Sequence, residues 1–302
     1  KAALGLLSCL LAAAAYFGFT LRRGSLGWIE CGVLLVTGSA FLLRLSYLNH
    51  SSLPSDYRLL PTVWTDEHTY FTVTRFLLEN GLPTYLLDPI SMRSAPGTPV
   101  YLYILYSIFG NLYDLRVCSI VLVCLSLLLV YRIGCLQFDK KTALLAMAAC
   151  AFFSETIKYS PTLLTEPPFF FLFLAGVYLS LLALREKRAV SVKTVLAGIL
   201  FALATMTRSI LLLYPFALLF FFAAWEGYAS YRAGKMEFTY SPKILVIVVS
   251  FLLVAAPVCL KNQLLFERFT IATGGGVALY LGSRADTEGD EPPYRGKAYI
   301  MP

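Results

Sequence analysis

Apolar runs close to twenty residues long recur along this 302-residue chain, and they constrain its fold more than any motif does. A helix rises about 1.5 Å per residue, so ~20 apolar residues cross the hydrocarbon of a bilayer. Inside lipid the backbone must satisfy its own hydrogen bonds, which makes helices the economical choice. The pattern predicts spanning or near-spanning helices at 2–20, 28–48, 116–136, 142–157, 163–184, 194–208, 210–225 and 243–260. The apolar segment at 97–110 is shorter than a span requires. The expected architecture is an all-α integral membrane protein, with residues 1–302 forming one multi-span bundle, 49–97 a long first loop and 261–302 the loop after the last span. The first run has signal-peptide features, and Leu6-Leu7-Ser8-Cys9 is like a lipoprotein cleavage site. The apolar stretch continues well past Cys9 to Arg22-Arg23, however, so a retained helix is expected.

Only 14% of residues are charged, so their placement is informative. The net charge of +7 does not mark a nucleic-acid partner, because the basic residues are spread over short loops. Arg22-Arg23, Arg132 with Lys140-Lys141, Arg185/Lys187/Arg188/Lys193 and Arg232/Lys235/Lys243 fall in alternate connections. Placing them all in the cytoplasm follows the positive-inside bias. Residues 49–97, 157–163, the 208–210 turn and everything after 261 then share the outer side. Seven cysteines lie within apolar runs without metal-ligand spacing, and read as small packing residues.

The first outer loop is too long for a simple connection. After Thr65-Asp66-Glu67-His68, the residues Tyr70, Val73, Phe76 and Leu77 keep helical spacing. Thr65 is placed to cap this helix, and Asn80-Gly81 with Pro83 to end it. Such an amphipathic helix lies along the membrane surface and meets membrane lipids directly. The 97–110 segment, opened by Pro96-Gly97-Thr98-Pro99 and carrying Tyr101, Tyr103 and Tyr106, is its natural partner.

The candidate chemistry gathers on that outer side. Asp66 and Glu67 can deprotonate a hydroxyl or amine nucleophile, or bind a divalent cation through their oxygens. Acids in a first helical turn also simply complement the dipole, and the pattern alone leaves these uses open. His68 is an assistant at most. Glu166, in Leu163-Leu164-Thr165-Glu166-Pro167-Pro168, opens a spanning helix, where an acid tends to face a cavity or a partner. Arg116 and Arg208 lie at outer helix ends; guanidinium forks match phosphate oxygens, although snorkelling to headgroups is the ordinary alternative. Lys158 and Arg93 are weaker candidates of the same kind. Gly274-Gly275-Gly276 lacks the Lys-Ser/Thr of a phosphate loop, and Asn49-His50-Ser51 is a sequon close to the membrane.

In order and sidedness these features resemble the membrane glycosyltransferases of GT-C type that use polyprenyl-phosphate sugars: the protein O-mannosyltransferases of family 39 and their lipid A aminoarabinose transferase relatives. The resemblance rests on Asp66-Glu67, Pro99-Val100-Tyr101-Leu102-Tyr103 with Phe109-Gly110, and Leu115-Arg116-Val117-Cys118-Ser119. It continues through Tyr159-Ser160-Pro161, Leu164-Thr165-Glu166-Pro167, Thr207-Arg208, and Gly274-Gly275 with Leu279-Tyr280-Leu281-Gly282. It implies a multi-span helical bundle with surface helices in the first outer loop. It implies sugar transfer from a polyprenyl-phosphate-linked donor to a protein, lipid A or glycan acceptor, outside a bacterial plasma membrane. Asp66 would be the catalytic base or acceptor-orienting carboxylate with Glu67 beside it, and Arg116 would hold the donor phosphate. Relatives of the aminoarabinose type carry Lys-Pro-Pro where this chain has Gly97-Thr98-Pro99, so that lysine's phosphate contact is missing unless Arg93 supplies it. Such proteins usually continue with further spans or a soluble tail, so the chain reads as the N-terminal part of a longer one.

Two rivals make different demands. A transporter or lipid-carrier flippase tends to hold charges near the bilayer midplane and to repeat its halves. Here the charges sit at one rim and no repeat is visible. A non-catalytic scaffold has no need of the Asp66-Glu67 pair.

Overall fold

The computed structural model describes residues 27–53, 66–235 and 237–273. The expected helix at 2–20, the Thr65 cap and the Gly274-Gly275-Gly276 segment lie outside the described residues. Among the described residues every regular element is helical. They are α1 (Trp28–His50), α2 (Asp66–Leu87), α3 (Gly97–Phe109), α4 (Leu112–Gln137), α5 (Lys140–Ala151), α6 (Ser154–Tyr159), α7 (Glu166–Leu184), α8 (Val192–Thr207), α9 (Tyr214–Ala233) and α10 (Ser241–Phe266). Short 3-10 turns at Pro89–Met92 and Ser209–Leu211 connect α2 to α3 and α8 to α9. Among the described residues five segments are long and apolar enough to cross a membrane: Trp28–His50, Leu112–Gln137, Glu166–Leu184, Ser209–Ala233 and Ser241–Phe266. The chain is a multi-pass membrane protein.

Local chemistry sets the helix starts. Asn111 opens α4 by accepting from the Asp114 amide at 2.9 Å. Asp139 opens α5 by accepting from the Lys141 and Thr142 amides. Ser191 and Thr194 form a capping box at the start of α8. The start of α10 is capped from another helix. Glu226 of α9, 5% exposed, accepts from the Thr239, Tyr240 and Ser241 amides at 2.7, 2.6 and 2.9 Å.

Two apolar cores build the bundle. One joins α1, α4 and α5 through Phe41, Ile120, Cys124, Leu128 and Met147. The other joins α7, α8, α9 and α10 around Phe201, Ile247 and Phe251. α4 packs on α7 and connects the two. In the second core, a Cβ on Gly198 of α8 would stand 2.4 Å from the Ile247 carbonyl of α10, so glycine sets that close helix approach.

The helix expected in the first loop is present as α2 and packs on α3. Phe71 meets Tyr106 edge-to-face at 5.6 Å, and Val73 and Leu77 bury against Val100 and Tyr103. Its regular part stops at Gly81, whose φ of 79° is left-handed. Two boundaries differ from expectation. The run at 142–157 is not one helix, because Phe153 takes extended angles (φ −67°, ψ 122°) and separates α5 from α6. The expected 210–225 helix is shifted: Arg208 is extended, a 3-10 turn follows, and α9 runs from Tyr214 to Ala233.

Candidate functional site at one rim of the bundle

The charged residues separate to two opposite rims. One holds the basic loops. There Lys140 pairs with Glu30 at 2.9 Å, Arg132 reaches the Tyr178 hydroxyl at 3.2 Å, and buried Lys243 donates to the Leu184 carbonyl at 3.0 Å. The other rim gathers the start of α2, the start of α4, the 160–166 segment, the end of α8 and the C-terminal end of α10.

At this second rim Asp66 is the first residue of α2 and is exposed. Its neighbour Glu67 turns inward and is 9% exposed. Arg116, in the first turns of α4, is 1% exposed. The two form a two-pronged ion pair. Arg116 Nη1 donates to Glu67 Oε1 at 2.6 Å, and Nη2 donates to Oε2 at 3.2 Å. Glu67 Oε1 also accepts from the Leu163 amide at 2.6 Å, and Arg116 Nη1 donates to the Pro161 carbonyl at 3.0 Å. The pair thereby locks α2, α4 and the 160–166 segment into one unit next to Asp66.

A second pair lies nearby and is more open. Arg208, in extended backbone just past α8, donates to the Glu166 carboxylate at the start of α7. Its guanidinium carbon lies 5.9 Å from the centre of the Phe169 ring. The side chains keep 41% and 35% of their exposure, which leaves the pair accessible to a ligand. Tyr70, one turn after Asp66, joins the two groups. Burial, reinforced by the Asp66 and Glu166 carboxylates, pushes its phenol up to about 12 against the opposing pull of Arg208. Asp66, Glu166 and Arg208 thus each act on the Tyr70 phenol.

Other expected residues lie elsewhere or carry less. Lys158 pairs with Glu155 at 2.9 Å on its own short helix. Arg93 is exposed beside the Pro89–Met92 turn. His68 is half-buried and its carbonyl accepts from the Thr72 hydroxyl. Among the described residues no group of three His, Cys, Asp or Glu side chains comes together as a metal cage. A divalent cation here would find Asp66 and Glu166 as carboxylates, since Glu67 is occupied by Arg116. The Gly97-Thr98-Pro99 departure has a steric reason: a Cβ at Gly97 would lie 2.8 Å from the Met206 carbonyl, so glycine lets α3 press on the end of α8 one residue before Thr207-Arg208.

Two further residues matter that the motifs did not indicate. Lys261 on α10 donates to Ser91 Oγ at 2.9 Å and fastens that helix to the Pro89–Met92 turn. Arg44 on α1 is fully buried, and its signal was present in the sequence: a guanidinium inside an otherwise apolar span.

A bundle of membrane-crossing helices with a half-open polar site at the end of its spans has the layout of an enzyme that works on membrane-held substrates. The sequence profile of the dolichyl-phosphate-mannose-protein mannosyltransferase family matches residues 93–260, more than half of the chain, and the chain belongs to that family of GT-C type membrane glycosyltransferases. The matched region contains Arg93, Arg116, Lys158, Glu166 and Arg208, while Asp66, Glu67 and His68 precede it. No curated protein sequence matches the chain significantly.

Proposed function

We propose that the chain transfers a sugar from a polyprenyl-phosphate-linked donor to a hydroxyl or amine of a protein, lipid A or glycan acceptor. The rim carrying Asp66 faces outward from a bacterial plasma membrane. The observation that carries this reading is that the exposed Asp66 adjoins Glu67, which binds the Leu163 amide three residues before the half-open Glu166–Arg208 pair, in a chain of this family.

The reaction is a displacement at the anomeric carbon. Asp66 takes the proton of the acceptor as its oxygen or nitrogen bonds to that carbon. The bond from carbon to phosphate oxygen breaks, and the polyprenyl phosphate leaves with the electron pair. Arg208 is placed to neutralise the charge that develops there, and the phosphate competes with Glu166 for it. A phosphodiester leaves readily, so no leaving-group acid is required. Glu67 and Arg116 bind each other and the backbone at Pro161 and Leu163, so their role in this reading is to hold the start of α2. Tyr70, a neutral phenol influenced by the same charged groups, is available as a hydrogen-bonding hydroxyl.

The test uses the full chain purified in lipid nanodiscs with defined polyprenyl-phosphate sugars, reading released carrier phosphate by mass spectrometry. Asp66→Asn is expected to abolish transfer while melting like wild type. Wild-type turnover in that variant would overturn the assignment.

A further inference from the structure

Arg44 is a complete cation buried in a membrane-crossing helix, and its four hydrogen bonds all go to neutral oxygens. Nη1 donates to the Ala40 carbonyl of its own helix at 3.1 Å and to the Ala151 carbonyl at the end of α5 at 2.9 Å. Nη2 donates to Thr156 Oγ1 on α6 at 3.2 Å, and Nε to Ser160 Oγ at 2.9 Å. A charge at this depth is costly without compensation. Helix packing alone offers no reason to keep it, since Val33, Phe41 and Leu48 of the same helix already bury against α4 and α5.

The acceptors define what the residue does. All but Ala40 lie on one side or the other of the break at Phe152-Phe153, where helical bonding stops. Thr156 turns its own hydroxyl to the Cys150 carbonyl across the break and to the Phe153 carbonyl, which also accepts from the Ile157 amide. Ser160 is followed directly by Pro161, whose carbonyl accepts from Arg116, and the Leu163 amide two residues on donates to Glu67. A continuous chain of contacts thus runs from Arg44 through 156–163 to the Glu67–Arg116 pair, and from Glu67 by one peptide bond to Asp66.

We propose that Arg44 is a positioning residue for the rim site: it fastens the 152–163 segment, and that segment fixes Glu67 and Arg116 so that the start of α2 presents Asp66 in one orientation. The proposal rests on the reading of Asp66 as the base. Arg44 touches no reacting atom, and its loss acts on the chemical step through misplacement of that carboxylate.

The experiment compares the full chain in nanodiscs with Arg44→Met, Arg44→Lys, Ser160→Ala and Thr156→Val, measuring amide hydrogen exchange and steady-state transfer from one polyprenyl-phosphate sugar. Arg44→Met is expected to speed exchange across 154–163 about tenfold or more, while exchange in α7, α8 and α10 stays at the wild-type level. Its kcat should fall about 10- to 100-fold with the donor KM within about twofold, as expected of a displaced catalytic group. Arg44→Lys, which keeps the charge but not the fork, should fall between, and Ser160→Ala and Thr156→Val should give the same pattern in milder form. If Arg44→Met fails to fold, those two decide. Unchanged exchange at 154–163 overturns the proposal. So does faster exchange with wild-type kcat, and so does an equal loss of protection in every helix of the mild variants, which would make Arg44 only a fold-stabilising residue. If the wild-type chain shows no turnover while exchange responds as expected, the reading of Asp66 fails, and the positioning role with it, but the fastening of 152–163 stands.

Discussion

Asp66 and Glu67 are adjacent in sequence and opposite in circumstance. One is exposed; the other is held by Arg116 and by the Leu163 amide. A buried ion pair broken on one side leaves an uncompensated charge, which costs about 3–5 kcal/mol, whereas replacing both partners can be close to neutral. Glu67→Gln and Arg116→Met should therefore each lower thermal stability sharply in detergent. The double variant should recover much of that loss, as a double-mutant cycle of melting temperatures will show. Additive losses would mean that the two side chains do not depend on each other. The sequence made the acids and arginines legible as candidates because charges are rare in it. It did not reveal which carboxylate turned inward, since that depends on α4 and the 160–166 segment arriving from residues far along the chain. Arg44 was overlooked for a related reason: hydropathy weighs a whole window, and one guanidinium barely lowers the score of a run like that of α1.

At the level of elements, apolar periodicity located most helices but could not see where they break. Phe152 and Phe153 are as apolar as their neighbours, so the run from 142 to 157 gave no warning of the extended residue between α5 and α6. The stop of the surface helix was legible because Gly81 and Pro83 are distinct chemical signals. Gly97 belongs to this scale too. It permits α3 to approach α8 at a distance that a methyl group would not allow. Gly97→Ala is expected to cost about 1–3 kcal/mol by overpacking. It should also reduce transfer more than a remote substitution of equal cost, because the displaced backbone at Met206–Thr207 carries Arg208. Activity compared with melting temperature across both variants checks this; a loss of activity no greater than the remote variant's would refute it.

For the molecule as a whole, charge separation between the rims makes a topological prediction. On the orientation proposed above, Arg93→Cys should react with a membrane-impermeant maleimide from outside intact cells, and Lys187→Cys only after the membrane is opened, each measured over the wild-type cysteine background. The reverse pattern would invert the orientation. The two rims were readable from the alternation of basic loops, but their internal wiring was not. The packing of α9 also emerges only in three dimensions. It keeps just 11% of its most apolar window buried and turns Phe220, Phe221, Trp225, Tyr228 and Tyr231 outward. Its firmest polar tie to the bundle is Glu226, which caps the start of α10. Such a helix packs through one face, with Tyr214, Leu218, Leu219 and Phe222 on the second core, and leaves the rest of its apolar surface to lipid. The Glu226 clasp can close only once α10 has been made, so α9 is expected to settle into its final place together with the span that follows it.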